Sequence, residues 1–439
     1  MKKITFLAVI FCLFGLVNIA NAQIVNIPDA NFKAALVGNS SINTNGDGEI
    51  QVSEATTFNG AINVSNKYIA DLTGIEAFTA LDSLNFFNNS LTSLDISANT
   101  ALIYLNTTSN QLTSLDVSAI TDLTYLYCGG NQLTSLDVSA NTALALFVYD
   151  SNQLTTLNVS ANTALTYLSG GDNLLTSLDV SANIALTYFR CWGNQLTSLD
   201  VSSNTALTYL NCAGNQLTNL DVSSNSALTY LDCAGNQLTS LDVSSNTALT
   251  GLECTGNQLI SLNVSANTAL TYLRCEGNQL TSLDVSANTA LTDLYCGSNQ
   301  LTSLNVKNGN NNNMHFYANS NPNLSCINVD NATWSTTNWT GIDAGAYFSE
   351  NCYSGISTLI NTTEIKTYPN PTTGKLAVSL SNANISTIEI FNLIGEKIYA
   401  QNVNQEKSIE IDISNTSGGI YFLKVSDGVK VYTSKIVLQ

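Results

Sequence analysis

The sequence predicts a mainly β protein in which a solenoid of eleven coils lies between a small helical N-terminal cap and a C-terminal β-sandwich. The first observation is an asparagine that recurs every 21 residues without a slip. It stands at Asn89, Asn110, Asn131, Asn152, Asn173, Asn194, Asn215, Asn236, Asn257, Asn278 and Asn299. A fixed period of roughly 20 to 50 residues is the signature of stacked repeats. The second observation is alternating β-branched stretches over the last 70 or so residues, which are typical of antiparallel strands.

Each coil is built from two similar halves. The repeat reads L-T-Y-L-x-C-x-G-N-Q-L-T-S-L-D-V-S-x-N-T-A, and the segment from Leu123 to Asn131 is echoed ten residues later by Leu133 to Asn141. The pattern resembles a leucine-rich repeat solenoid over about residues 60–307, with regular coils over 81–307. We expect two short parallel strands on opposite sides of each coil, no helix between them, and a rod roughly 50 Å long at about 4.8 Å per strand.

Seven cysteines share one inward position of the repeat. They are Cys128, Cys191, Cys212, Cys233, Cys254, Cys275 and Cys296. Side chains stacked in register lie about 4.8 Å apart, whereas bridged Cβ atoms lie about 3.8 Å apart. We therefore predict buried free thiols that pack as small apolar groups. Tyr149 and Gly170 fill the same position, which a metal or redox ladder would not readily allow.

The first 22 residues are typical of a secretory signal peptide. Lys2 and Lys3 precede an apolar run from Ile4 to about Val17, and Ala20-Asn21-Ala22 offers a small-x-small cleavage pattern. The alternative is a transmembrane helix, but the run is short and no second span follows. We expect a mature chain that starts at Gln23 and has no transmembrane segment.

Residues 366–439 contain four short motifs in a characteristic order. The motifs are Tyr368-Pro369-Asn370-Pro371-Thr372-Thr373-Gly374, Ile390-Phe391-Asn392-Leu393-Ile394-Gly395, Gly418-Gly419-Ile420-Tyr421 and Lys435-Ile436-Val437. Together they resemble the type A C-terminal sorting domain of the type IX secretion system. The resemblance implies a Bacteroidetes bacterium, the type IX machinery as a partner, and removal of this domain during export. The alternative is an ordinary β-sandwich adhesion module. A linker over 354–365 precedes the domain.

The N-terminal cap, residues 23–80, contains the first, irregular repeat and a polar loop that resembles an EF-hand or dockerin-type calcium loop. Its expected ligands are Asn43, Asn45, Asp47, Glu49 through its carbonyl, and a bidentate Glu54. Asparagine replaces the usual first aspartate, so the expected affinity is weak. The alternative is a polar turn that caps the next helix.

The segment 308–353 resembles the C-terminal cap of bacterial leucine-rich repeat proteins. Cys326 and Cys352 lie outside the period, and the resemblance implies a disulfide between them. A loop of about 26 residues closed in this way would stabilise the cap by about 3 kcal/mol in the chain-entropy model.

The outward positions of the first strand vary more than the rest of the repeat. One column is mostly tyrosine, and the neighbouring columns carry mixed charged and aromatic residues. The residues predicted to bind a partner are Tyr125, Tyr127, Tyr188, Arg190, Trp192, Asp232, Glu253, Arg274, Glu276 and Tyr295. The alternative is tyrosine stacking that stabilises the rod, with drift at solvent positions.

The outward column of the second side is an aspartate row. It consists of Asp95, Asp116, Asp137, Asp179, Asp200, Asp221, Asp242 and Asp284. Like charges at strand spacing repel one another. A ladder of divalent ions would relieve the repulsion, and so would neighbouring serine and threonine hydroxyls with water.

The composition restricts the function. A net charge of -18 without a basic stretch argues against a nucleic-acid partner. His315 is the only histidine, and no nucleophile, phosphate loop or metal-ligand spacing is recognisable, so we expect no enzyme. We predict a secreted or cell-surface protein that recognises a protein or a glycan. A purely structural surface or biofilm component is the alternative, and a glycan-degrading accessory factor is a third candidate.

Overall fold

The computed structural model describes residues 23–352, 365–381 and 383–439. They fall into two compact units that divide between Cys352 and Tyr353. The predicted signal peptide, and the predicted linker up to residue 364, lie outside the described residues. None of the helices in the described ranges is long and apolar enough to cross a membrane.

Thirteen parallel strands of three residues form one continuous sheet, which we call the first sheet. They are Ala61–Asn63, Ser83–Asn85, Tyr104–Asn106, Tyr125–Tyr127, Leu146–Val148, Tyr167–Ser169, Tyr188–Arg190, Tyr209–Asn211, Tyr230–Asp232, Gly251–Glu253, Tyr272–Arg274, Asp293–Tyr295 and His315–Tyr317. Eleven strands match the predicted coils, and one more is added at each end. The two added strands are offset by 22 residues from their neighbours, which is why the strict 21-residue period did not include them.

Regular strands on the second side occur only at its C-terminal end. They are Ser282–Asp284, Ser303–Asn305, Cys326–Asn328 and Tyr347–Ser349. Asparagine side chains link these coils, because Asn305 donates to Asp284 at 3.1 Å and Asn328 donates to Asn305 at 3.0 Å. Carboxylates stacked on carboxylates have no hydrogen to share. Every member of the aspartate row except Asp284 lies on a coil whose second side has no regular strand among the described residues.

Short helical elements occur in the caps. The cap helices are Ala30–Val37, Val52–Thr57 and Ala332–Asn338, and 3-10 turns span Ile75–Ala77 and Asn311–Asn313. Asp29 fixes the first helix to the solenoid, because its carboxylate accepts from Phe32 N at 2.9 Å and from Ala70 N at 2.8 Å. At the other end the structure joins Cys326 and Cys352 in a disulfide, with Cα atoms 5.7 Å apart.

The middle residue of each strand in the first sheet points inward, so leucines stack into one core along the solenoid. The seven cysteines of the repeat stack beside them, and all are buried and free, as predicted. Burial raises the pKa of every one of these thiols, that of Cys191 to about 12.

We expect the seven thiols to be unreactive in the folded protein, because the thiolate is the reactive form and burial excludes both the reagent and the charge. Alkylation counted by intact mass should label none in buffer at pH 8 and seven in denaturant. If the protein is reduced first, the number of thiols labelled in denaturant should rise to nine, because the disulfide of the C-terminal cap is opened. Labelling of two or more thiols in buffer would contradict a closed core.

The second unit consists of two antiparallel sheets around a shared apolar core. One sheet contains Ile365–Tyr368, Lys375–Leu380 and Ser408–Asp412; the other contains Ile385–Phe391, Lys397–Glu406, Gly419–Ser426 and Val431–Leu438. The predicted β-sandwich is therefore confirmed.

Several residues of the four C-terminal motifs close this sandwich. Asn370 accepts from Val437 N at 2.9 Å and donates to Lys435 O at 2.6 Å, which fastens the first motif to the last strand. Gly374 has a φ of 128°, and a Cβ there would lie 2.5 Å from Ser414. Seven other motif residues lie on the surface or at turns: Tyr368, Pro369, Pro371, Gly395, Gly418, Gly419 and Lys435.

Candidate functional site: the outward face of the first sheet

The first and third residues of each strand in the first sheet point outward, together with the residue two positions further on. We call this surface the binding face. All ten residues predicted to bind a partner lie on it. They do not form one cluster, because parallel pairing in register spreads them along the whole rod.

A ladder of tyrosines occupies the centre of the binding face. Tyr167, Tyr188, Tyr209 and Tyr230 stack with ring centroids 4.2, 4.3 and 4.9 Å apart and planes within 10° of parallel. Partial burial raises the pKa of Tyr167 to about 12. Because the ring faces cover one another, a partner would meet mainly ring edges and hydroxyl groups. This arrangement supports the stabilising role for the ladder itself.

The ladder ends where Gly251 replaces tyrosine. Tyr230 leans over Gly251, so that an added Cβ there would lie 2.6 Å from its ring. The Tyr230 hydroxyl donates to Glu253. Burial, with the negative charge of Glu253, raises the pKa of Asp232 despite a hydrogen bond from Ala234 N. This part of the binding face is acidic and closely packed.

The second cation of the binding face, Arg274, is fully engaged. Its guanidinium binds Glu276 at 3.0 Å and lies 5.1 Å from the ring centre of Tyr295. Tyr125 and Tyr127 form a separate tilted group with Tyr104 near the N-terminal end. Neither group contains a buried side-chain nitrogen or oxygen that lacks a hydrogen-bond partner in the described residues.

Arg190 and Trp192 form a different kind of site. No described carboxylate lies within salt-bridge distance of Arg190, although the charge of Asp150 attracts it, and its guanidinium carbon lies 5.9 Å from the centre of the Trp192 ring. The Trp192 indole lies face down on Gly171, because an added Cβ at Gly171 would lie 2.1 to 2.5 Å from three indole ring atoms. The indole Nε1 and the Arg190 Nε are buried and have no hydrogen-bond partner in the described residues.

Asp150 closes the other side of this site. Its carboxylate accepts from Gly171 N at 2.6 Å and from the Ser169 hydroxyl at 2.8 Å. Sequence reasoning left Asp150, Ser169 and Gly171 out of the predicted binding set. The sequence feature that could have identified them is the Gly170-Gly171 pair, which replaces the usual residues at two adjacent positions of the repeat.

The polar loop of the N-terminal cap closes on itself through hydrogen bonds. The Glu54 carboxylate accepts from Thr44 N at 2.8 Å, Asn45 N at 3.2 Å and Gln51 N at 3.0 Å, and it caps the helix Val52–Thr57. Burial favours a higher pKa for Glu54, but these hydrogen bonds outweigh it and lower the pKa.

The side chains of the other four predicted calcium-binding residues also have partners, although the predicted ligand atom of Glu49 is its carbonyl oxygen. Asn43 accepts from Gly46 N at 3.0 Å, Asn45 donates to Asp47 at 3.0 Å, and Glu49 pairs with Lys33 at 2.6 Å. The side chains present are hard oxygen donors, which suit calcium chemically. In the structure, however, these side chains are arranged as in a polar turn that caps the helix Val52–Thr57.

The aspartate row is compensated by local hydrogen bonds. Asp116 accepts from Ser118 N at 2.9 Å and from its hydroxyl at 2.6 Å. Such hydrogen bonds from the following serine lower the pKa of Asp95, Asp116, Asp179, Asp200, Asp221 and Asp242. The sequence left open whether divalent ions or neighbouring hydroxyl groups relieve the repulsion between the aspartates. The structure shows hydrogen bonds from the serines.

This row predicts a specific pH dependence. A carboxyl whose pKa is lowered by folding stabilises the fold above its unfolded pKa of about 3.9, and that contribution is lost as the pH falls through the folded value. We expect the melting temperature to be flat from pH 8 to pH 5 and to fall below about pH 4. Replacing Ser202, Ser223 and Ser244 with alanine should reduce the fall between pH 5 and pH 3. An equal fall in both proteins would contradict this origin.

Comparison with known families identifies the C-terminal unit. Residues 366–439 match the secretion system C-terminal sorting domain. The ulvan lyase NLR42 of Nonlabens ulvanivorans is 39% identical over 74 residues, which is 16% of this chain and 14% of that protein. The chain thus spans about one seventh of that relative's length, too little to assign its activity here.

Comparison with solved structures supports the solenoid. The functional domain of InlJ from Listeria monocytogenes, described as including a cysteine ladder, is 26% identical, with a TM-score of 0.55 over 95% of this chain and 100% of that domain. An internalin, InlF, from Listeria monocytogenes is 22% identical, with a TM-score of 0.58 over 74% of this chain and 96% of that one. This protein is therefore a leucine-rich repeat solenoid joined to a sorting domain of the type IX secretion system, which directs its export to the cell surface or the extracellular space.

Proposed function

We propose that the exported solenoid binds a ligand, a protein or a glycan, through the binding face. One observation carries this proposal. The strongest departures from the repeat fall on three consecutive coils, at Tyr149-Asp150, Ser169-Gly170-Gly171 and Arg190 to Trp192, and they place a cation that forms no salt bridge among the described residues beside an aromatic side chain. Drift at solvent positions would scatter such changes over the rod.

The purely structural alternative is supported by the tyrosine ladder, which packs against itself. The two functions differ in one measurable property, because a structural rod has no saturable ligand. A glycan array and a pull-down from cell-surface proteins, both with the full chain from Gln23, should find a saturable ligand. That ligand should be lost when Arg190 and Trp192 are both changed to alanine. Absence of any saturable ligand would support the structural rod.

We also propose that the polar loop of the N-terminal cap binds calcium weakly, on the strength of its EF-hand-like spacing. Calcium at several millimolar should raise the melting temperature, since ligands that bind only the folded state stabilise it. Asp47→Asn retains the acceptor for Glu49 N but removes a charge, and it should reduce the shift. Magnesium is the control for ionic strength. No shift with calcium would leave the loop as a helix-capping turn.

A further inference from the structure

We infer that Arg190, Trp192 and Asp150 bind an acidic sugar, a pyranose that carries a carboxylate or a sulfate group, within the ligand of the binding face. The inference rests on the proposed binding function and names its ligand class. It follows from three chemical groups that neighbouring coils bring together around Gly171.

The first group is a flat aromatic surface. The tyrosines of the ladder cover each other's faces, but the Trp192 indole rests with one face on Gly171, is partly exposed, and has the Arg190 guanidinium 5.9 Å from its ring centre. Only glycine permits this position, since any Cβ at 171 would overlap the ring. Aromatic faces bind the apolar side of a pyranose, whereas ring edges do not offer that area.

The second group is a cation that forms no salt bridge among the described residues, although the charge of Asp150 attracts it. Residues 23–352 contain five basic residues and 25 acidic ones. Arg274, the other cation of the binding face, is held by Glu276, while Arg190 binds no carboxylate among the described residues. A guanidinium binds carboxylates and sulfates with charge-assisted hydrogen bonds. Its guanidinium carbon lies 5.9 Å from the Trp192 ring centre, so an acid group bound to Arg190 would lie next to a sugar that contacts this ring.

The third group is a fixed acceptor for hydroxyl groups. Asp150 uses one oxygen for Gly171 N, and both oxygens contact the buried Ser169 hydroxyl. The Oδ2 atom, bound only by that hydroxyl, retains lone pairs for a sugar hydroxyl. Because Gly171 contacts both Asp150 and Trp192, the acceptor and the aromatic surface belong to one site.

The surrounding charge limits which acidic glycans fit. Residues 23–352 have a net charge of -20, so a dense polyanion is repelled. The site therefore suits isolated acid groups in an otherwise neutral chain. An acidic peptide would bring the acid group but no pyranose to stack on Trp192, and we favour the sugar for that reason.

The experiment uses the full chain from Gln23 and NMR titration with defined disaccharides. One contains glucuronate, a second is its methyl ester, a third has glucose in place of glucuronate, and a fourth carries a sulfate ester. We expect saturable binding of the glucuronate or the sulfate form, at least about tenfold weaker binding of the ester and glucose forms, and a similar loss in Arg190→Gln. Which acid form binds more tightly identifies the acid group.

Lys67→Gln is the matched control, because it removes one exposed positive charge far from the site. It should bind like the wild type. Trp192→Ala should weaken both acidic and neutral disaccharides. Equal binding of acid and ester, equal effects of Arg190→Gln and Lys67→Gln, or no binding of any disaccharide would overturn the inference. A ligand found by array or pull-down that is indifferent to Arg190→Gln would overturn it while leaving the proposed function intact.

Discussion

Changing Gly170 to cysteine, the residue most coils carry at that position, should destabilise the protein by roughly 3 kcal/mol. The buried ring of Tyr149 occupies the space above Gly170, and an added Cβ would lie 1.9 Å from its Cζ. The ring is fully buried, and its hydroxyl has no hydrogen-bond partner in the described residues. It therefore cannot swing away without opening the core. Urea unfolding followed by circular dichroism measures the loss.

The double variant Tyr149→Cys with Gly170→Cys tests whether the two residues compensate one another. Tyr149→Cys alone should cost about 2 to 4 kcal/mol, because it leaves a cavity above Gly170. The double variant should recover most of the loss, with a coupling of about 3 kcal/mol between the sites. Additive losses would show that Tyr149 and Gly170 are not a complementary pair.

Replacing the turn asparagine Asn236 with alanine should cost about 3 kcal/mol. Its amide donates to Cys212 O at 3.0 Å and Cys233 O at 3.0 Å, and its carbonyl accepts from Leu217 N at 3.0 Å. All of these bonds are buried, and alanine would leave their partners without hydrogen bonds and away from water. The same urea titration measures the effect.

Gln237→Ala is the matched control for this substitution. The neighbouring side chain is exposed, and surface changes of this kind usually stay within about 0.5 kcal/mol. Equal effects at Asn236 and Gln237 would contradict the view that the asparagine column holds successive coils together.

The strict period made the inward and outward positions predictable. An identical residue every 21 positions must stack on its copy, so the buried cysteines, the leucine core and the tyrosine column followed from spacing alone. The same period missed the last strand of the first sheet and indicated the first only as an irregular repeat, because one inserted residue at each end breaks the register. The period predicts the positions of residues that follow the repeat, but not of those that depart from it.

The candidate site was only partly predictable for the same reason. Arg190 and Trp192 stood out as unusual residues in variable columns. That the Trp192 indole turns back onto Gly171, toward Asp150, depends on side-chain packing between coils. The consensus repeat contains neither the glycine pair Gly170-Gly171 nor the buried Tyr149. Only the structure therefore shows that Arg190, Trp192 and Asp150 lie close together.

Ligand binding by the outward face of the first sheet is tested most directly by a titration of the full chain with the ligand found by array or pull-down. The comparison is between Trp192→Ala on that face and Asp221→Asn on the opposite side, which keeps the acceptor for Ser223 N. We expect Trp192→Ala to weaken binding by about tenfold or more, as for an aromatic anchor, and Asp221→Asn to leave it unchanged. Equal affinities for both variants and the wild type would contradict a binding role for the face.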